Sequence, residues 1–278
     1  MIQQPVVDLV GKIGSMALIR REDNDIDYNI FSRLGAELRP GMVWVSSGAT
    51  EIGRLDYMKR NNGGELCGDP EEDKADYAAQ GQAILMENYR RYIAPGYSVR
   101  QLLVEHTHFN DPDKSEHIRA LLLRCTAQGA IPIVNYNDPV SSDENRKMEL
   151  SSLRQSRDGV VECVDNDETA AVVAALVRAR RLLILTSADG IYLDPADPAT
   201  LVREVTGGEP EEVVRRIREL QRNCDGASRK GAGGMRAKLE YILDPVRNGT
   251  QVVIGHARHR ISDLLEGRVP CTRIGARG

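Results

Sequence analysis

Two groups of polar residues that could do chemistry flank one helix and one strand between Val164 and Tyr192. Asp165, Asn166 and Asp167 stand at the entrance of a helix of small apolar residues. The run Leu182–Leu185 then reads as a buried strand that ends in Thr186, Ser187, Ala188, Asp189 and Gly190. Strand ends and helix starts are where ligand-binding groups collect in open α/β sheets. Asp165 and Asn166 also have a plainer reading, as caps of the helix that follows.

Three glycine-rich turns add to this. Gly11-Lys12-Ile13-Gly14-Ser15 ends the first apolar run, Ser46-Ser47-Gly48-Ala49 ends the second, and Gly231 to Lys238 (GAGGMRAK) opens a helix. Glycine lets the backbone approach a ligand and turn its N–H groups toward oxyanions. A lysine beside such a turn supplies a point charge for phosphate. Neither the P-loop nor the GxGxxG pattern is present: Ile13 stands where a P-loop needs Ser or Thr, and Arg236 takes the last glycine position. Lys12 lies inside an apolar run, where lysine needs a partner. His106, His108, His256 and His259 have no Cys or carboxylate cluster at ligand spacing, so no metal site is expected from them.

The elements that must position these groups alternate between strand and helix. Val6–Ile13, Met42–Val45, Tyr97–Val104, Ile131–Val134, Leu182–Leu185 and Gln251–Ile254 read as strands. Tyr28–Leu38, Lys74–Tyr92, Asp111–Ala127, Glu209–Arg222, Glu240–Val246 and Arg260–Glu266 read as helices. Asp56–Asp73 is polar and glycine-rich and is expected to be a surface loop. Ser141–Arg157, charged and serine-rich, is expected to be an irregular excursion, a hairpin or a flexible lid. The β-α alternation implies a mostly parallel sheet with the site along one edge.

Composition agrees. The 278 residues are 41% hydrophobic but only 4% aromatic, which suits a Val/Ile/Leu sheet covered by helices. A net charge of −4 gives no case for nucleic acid or an anionic membrane. No apolar run reaches the roughly 20 residues of a membrane span, and the N-terminus lacks a signal-peptide pattern. Cys67, Cys125, Cys163, Cys224 and Cys271 are odd in number and contain no CxxC pair, so idle thiols in a reducing cytoplasm are expected.

Taken in order, VGKIGSMAL, VWVSSGAT, KADYAAQGQAILMENY, IPIVNYNDPVS, VDNDETAAVVAAL, LLILTSADGIYLDPADP, GAGGMRAK and LLEG resemble the amino acid kinase superfamily, and within it the glutamate 5-kinase branch. The resemblance covers nearly the whole chain. It implies a three-layer α-β-α sandwich over residues 1–278, with an acceptor part to about residue 165 and a nucleotide part beyond it. It also implies ATP as donor, Mg²⁺ bridging its phosphates and partly held by water, and a small carboxylate as acceptor, L-glutamate first. By resemblance Lys12 and Lys238 contact the transferring phosphoryl group, and Asp167 orients both. Ser47, Gly48, Asp138 and Asn166 would bind the acceptor. Gly14, Ser15, Thr186, Ser187, Gly231, Gly233, Gly234 and Met235 would bind ATP. A homo-oligomer is implied as well, together with a place in proline synthesis.

The match also has departures. Tyr136 stands where this branch usually has Glu, Pro139–Val164 is longer than usual, Ser187 replaces an Asp, and Lys74–Tyr77 departs from the usual KQA. The RNA-binding-type domain found at the C-terminus of many members is not expected after Glu266-Gly267. UMP, carbamate or another small phosphate remain open as acceptors, as does a non-catalytic nucleotide- or oxyanion-binding role.

Overall fold

Each apolar run between polar turns becomes a strand, and eight strands share one sheet. The computed structural model describes residues 7–20, 22–156, 159–163, 165–194, 196–223 and 234–276. Strand β1 is Leu9–Ile13, and β2 (Ile19–Arg20) pairs with β3 (Asp25–Ile26) in a small ribbon. Strands β4 (Met42–Ser46), β5 (Ser98–Val104), β6 (Ala130–Tyr136) and β7 (Arg181–Thr186) follow. A second ribbon joins β8 (Ile191–Tyr192) to β9 (Leu201–Val202). Strands β10 (Glu204–Gly207), β11 (Gln251–His256) and β12 (Cys271–Ala276) complete the set. The main sheet runs β10-β12-β11-β7-β1-β4-β6-β5, and only β11 and β12 pair antiparallel.

The helices are α1 (Tyr28–Glu37), α2 (Ala49–Arg60), α3 (Pro70–Tyr92), α4 (His106–Asn110), α5 (Pro112–Ala127) and α6 (Asp143–Ser156). After them come α7 (Asn166–Val177), α8 (Pro210–Asn223), α9 (Gly234–Tyr241), α10 (Leu243–Arg247) and α11 (Ile261–Leu265). Several begin on an aspartate that accepts the first free N–H groups: Asp27 for α1, Asp69 for α3, Asp111 for α5 and Asp165 for α7.

Side chains alternate across each strand, so the central strands feed two cores. Leu9 and Ile13 of β1 pack with Trp44, Ile133 and Leu183 under α1, α2, α3 and α11. Val10 packs with Val45, Val134, Leu182 and Ile254 under α5, α7, α8 and α10. The result is the expected three-layer α-β-α sandwich with a mostly parallel sheet.

Some expectations about segments are corrected. The span Ser141–Arg157 holds no hairpin: α6 fills Asp143–Ser156, anchored by Leu150, which is buried among exposed neighbours. The expected loop Asp56–Asp73 shrinks to residues 61–69, because α2 runs to Arg60 and α3 starts at Pro70. The strands β10 and β12 and the short helix α4 were not foreseen. Cys125, Cys163 and Cys271 are buried and free while Cys67 is exposed and free; Cys224 lies outside the described residues. Among the described residues no helix is long and apolar enough to cross a membrane.

Candidate active site

Four strands lie side by side at the centre of the sheet in the order β7-β1-β4-β6, and their C-terminal ends carry most of the residues singled out above. Lys12 is two residues from Val10 and therefore points to the same face, toward α7. Its Nζ lies 2.7 Å from Asp167 Oδ1, and Lys238 of α9 holds the other oxygen, Oδ2. Lys12 and Asp167 are only 8% and 2% exposed and Lys238 is half-buried, so two cations share one buried anion. Burial works against an ionised Asp167, but the Lys12 and Lys238 charges outweigh it and hold the carboxyl below its ordinary range. The trio as a whole carries a net positive charge.

Two glycine-bearing turns lie beside this trio. Gly14 and Ser15 enter a 3₁₀ turn after β1, and a Cβ at Gly14 would sit 3.5 Å from Lys12 Nζ. Gly48 has φ +109°, a left-handed conformation that a side chain would strain, and a Cβ there would meet Leu18 Cδ1 at 2.9 Å. Among the described residues no side chain caps the α2 helix that follows Gly48. The Gly48 turn is held from below by a buried chain: Trp44 Nε1 donates to Tyr89 Oη at 3.0 Å, and Tyr89 donates to Ser46 Oγ at 2.8 Å. Ser46 in turn donates to the Ser47 carbonyl at 3.0 Å.

Beside the turn lies a network of neutral polar groups. Asn166 Nδ2 donates to Ser47 Oγ at 3.0 Å and to Asn135 Oδ1 at 2.9 Å, and Asn135 Nδ2 donates to Gln82 Oε1 at 2.9 Å. The Asp165 carboxylate caps α7, accepting from the N–H groups of Asp167 and Glu168, so the plainer reading holds for it. Asn166 and Asp167 do not cap: they lie in the first turn of α7 and reach residues of other elements. Asn135 and Gln82 were missed as site residues. The available signal was Gln82 itself, a polar residue in helical phase with Ala78, Leu85, Met86 and Tyr89 on the buried face of α3. Asp138 opens the 3₁₀ turn that follows β6.

The next residue of β6 turns elsewhere. Tyr136 Oη lies 3.2 Å from His106 Nδ1 and 3.1 Å from Ser141 Oγ, with the Arg146 guanidinium 5.1 Å above its ring. His106 Nε2 reaches Glu149 Oε2 at 2.9 Å, and Arg146 donates to the Glu162 carbonyl at 2.7 Å. Together these contacts tie α6 over the end of β6 as a strap. Burial holds the His106 imidazole below its usual range despite the attraction of Glu149, which keeps it neutral near pH 7. Cys163 lies close by, its thiol pushed up to about 12 by burial, which rules it out as a nucleophile near neutrality.

On the other flank, Thr186 ends β7, and its Oγ1 exchanges hydrogen bonds with the backbone of Ala188 at 2.9 and 3.0 Å. Ser187 is exposed there. Arg258 clamps Asp189 through two contacts of 2.7 and 2.9 Å, joining this loop to the end of β11. Gly234 opens α9 and Met235 packs on the core, while Gly231 and Gly233 lie outside the described residues. Among the described residues no group of three His, Cys, Asp or Glu side chains is placed to hold a metal ion. Both oxygens of Asp167, the buried carboxylate of the trio, are already taken by lysines.

The model of the Amino acid kinase family matches residues 9–256. Curated glutamate 5-kinases from Burkholderia mallei (strain SAVP1) and Burkholderia pseudomallei (strain 668) are each 32% identical over 284 residues, an overlap covering 97% of this chain and 68% of theirs. A carbamate kinase from Giardia lamblia bound to AMP-PNP superposes with a TM-score of 0.61 at 15% identity, covering 99% of this chain and 100% of that one. UMP kinase from Ureaplasma parvum gives 0.54 at 12% identity, covering 98% and 100%. At such identities the structural likeness concerns the fold.

Proposed function

Because the chain belongs to the amino acid kinase family, we propose that it transfers the γ-phosphoryl group of ATP to a small carboxylate, and that this acceptor is the γ-carboxylate of L-glutamate. The observation that carries the reading is the trio, in which Asp167 holds Lys12 and Lys238 side by side at the sheet edge. Phosphoryl transfer asks little covalent chemistry of a protein and much neutralisation of charge. An acceptor carboxylate oxygen bonds to the γ-phosphorus as the bond to the ADP oxygen breaks, giving an acyl phosphate and ADP. Two preorganised ammonium groups offset the negative charge on the transferring group, and Asp167 offsets their mutual repulsion between turnovers.

Gly14, Ser15 and the Gly48 turn supply backbone donors for phosphate oxygens. Ser47, Asp138 and Asn166 would hold the acceptor, and Thr186, Ser187, Gly231, Gly233, Gly234 and Met235 the nucleotide. This division puts most of the acceptor part within about residues 1–165 and most of the nucleotide part within about 166–278, with Asn166 at the boundary and Gly14 and Ser15 reaching the phosphates from the first part. Mg²⁺, riding on the ATP phosphates, would supply further charge neutralisation; with Asp167 committed to lysines, the fit is to a metal carried by nucleotide and water. A cytoplasmic homo-oligomer making glutamyl 5-phosphate for proline synthesis completes the proposal.

A second reading keeps the machinery and changes the acceptor, to carbamate, UMP or another small phosphate. It is favoured by Tyr136, whose ring and hydroxyl are committed to His106, Ser141 and Arg146 beside the acceptor turn. The test is ATP consumption with Mg²⁺ across glutamate, aspartate, N-acetylglutamate, carbamate and UMP, with hydroxylamine present to trap acyl phosphates. Hydroxamate formed with glutamate alone supports the first reading. Turnover with another acceptor replaces it by the second, and ATP binding without any turnover rejects both.

A further inference from the structure

The polarity of the amide network can be traced to one unambiguous donor. The backbone N–H of Tyr136 donates to Asn135 Oδ1 at 2.9 Å, which identifies the oxygen of that amide. Amide orientation is otherwise assigned rather than seen. The nitrogen of Asn135 must then face Gln82, and Nδ2 donates to Gln82 Oε1 at 2.9 Å. Because the Asn135 oxygen can only accept, Asn166 must present its Nδ2 to it, at 2.9 Å, and the same nitrogen reaches Ser47 Oγ at 3.0 Å. With its nitrogen committed twice, Asn166 keeps Oδ1 buried and without a partner among the described residues. The Ser47 oxygen, already accepting, presents its hydroxyl as a donor.

The start of the chain of amides is as buried as its middle. Gln82 is 8% exposed and Asn135 2%. Gln82 reaches Asn135 because α3 lies against α2 with glycines at the crossing. A Cβ at Gly81 would come within 1.8 Å of the Ala49 carbonyl, and one at Gly53 within 1.8 Å of the Tyr77 carbonyl.

We propose that Gln82 is a positioning residue for the acceptor: through Asn135 it fixes the Asn166 amide with its oxygen uncommitted, so that the site demands a hydrogen-bond donor on the acceptor. This rests on the acceptor reading of Ser47 and Asn166 given above. Removing the Gln82 oxygen leaves Asn135 Nδ2 buried with nothing to donate to, so the Tyr136 N–H alone holds the Asn135 amide and its hold on Asn166 loosens.

The test compares L-glutamate with glutarate, which keeps both carboxylates and lacks the ammonium donor. Steady-state kcat and KM are measured for each acceptor and for ATP in wild type, Gln82→Met and Gln82→Glu. Gln82→Met is expected to raise KM for glutamate about tenfold, the usual worth of one buried hydrogen bond, with KM for ATP unchanged. Its preference for glutamate over glutarate should narrow by a similar factor. Gln82→Glu keeps an acceptor oxygen and should retain the wild-type preference. Preference unchanged in Gln82→Met, or both KM values rising together, overturns the proposal.

Should Gln82→Met fail to fold, Gln82→Leu, which likewise lacks the oxygen, replaces it and should narrow the preference by a similar factor; an unchanged preference overturns the proposal. A wild type idle with glutamate removes the acceptor reading and this proposal with it. An active wild type with an equally selective Gln82→Met removes this proposal alone.

Discussion

Lys12 and Lys238 take separate oxygens of the Asp167 carboxylate, one from the first strand and one from α9. Neither lysine can be lost without leaving the buried Asp167 charge less well paired. Asp167→Asn, Lys12→Ala and Lys238→Ala should each lower kcat by about 10²–10³, the cost of one preorganised charge-stabilising group. Steady-state ATP turnover with the acceptor that wild type uses measures this. Any of the three retaining wild-type kcat would remove that residue from the machinery.

The same carboxylate gives an acid limb to stability. Asp167 titrates below its ordinary range when folded, and near about 3.9 when unfolded. The folded protein therefore binds this proton more weakly. Its contribution is present above the unfolded value and is lost as pH falls through the lower folded pKa. Urea midpoints measured from neutrality down to acid should show Asp167→Asn less stable than wild type at pH 7, with the gap closing toward low pH. A constant gap across that range would contradict the assignment.

Helix spacing offers a sharper structural test. Gly81→Ala pushes a methyl group into the Ala49 carbonyl, and overpacking of this kind costs about 1–3 kcal/mol or more. Gly96 has nothing within 4 Å of its would-be Cβ, so Gly96→Ala should stay within about 0.5 kcal/mol of wild type. Urea denaturation of both variants decides it, and equal effects would mean that the crossing of α2 and α3 is looser than described.

The α6 strap is held by few contacts, among them Glu149 on His106. Glu149→Ala should speed amide hydrogen exchange across residues 144–156 while leaving α7 protected, since α7 rests on the apolar core. Exchange unchanged in α6 would show that Leu150 and Arg146 suffice.

Much of this was legible in the residues. Lys12 announced itself as a charge inside an apolar run, and the alternation of β1 assigns its face with no knowledge of its partner. Asp167 was marked by its place at the head of an apolar helix. The α6 helix was not legible, because its sequence is charged and serine-rich and Leu150 alone gives it a buried anchor. Strands β10 and β12 escaped because Glu204–Gly207 is short and Cys271–Ala276 is broken by Thr, Arg and Gly, so both take their places from sheet neighbours rather than from an apolar run of their own. The Gln82–Asn135 pair joins residues on separate elements, and only the odd polarity of Gln82 on a buried helix face hinted at it.

One local feature bears on how such a site diverges. Asn135 and Tyr136 are consecutive, yet Asn135 serves Gln82 and Asn166 while Tyr136 serves His106 and the strap. The strand's own alternation thus insulates two inheritances from each other. A lineage can rewrite the residue at 136 and everything that leans on it, lengthening or restyling the strap, while the neighbour at 135 passes unchanged from ancestor to descendant.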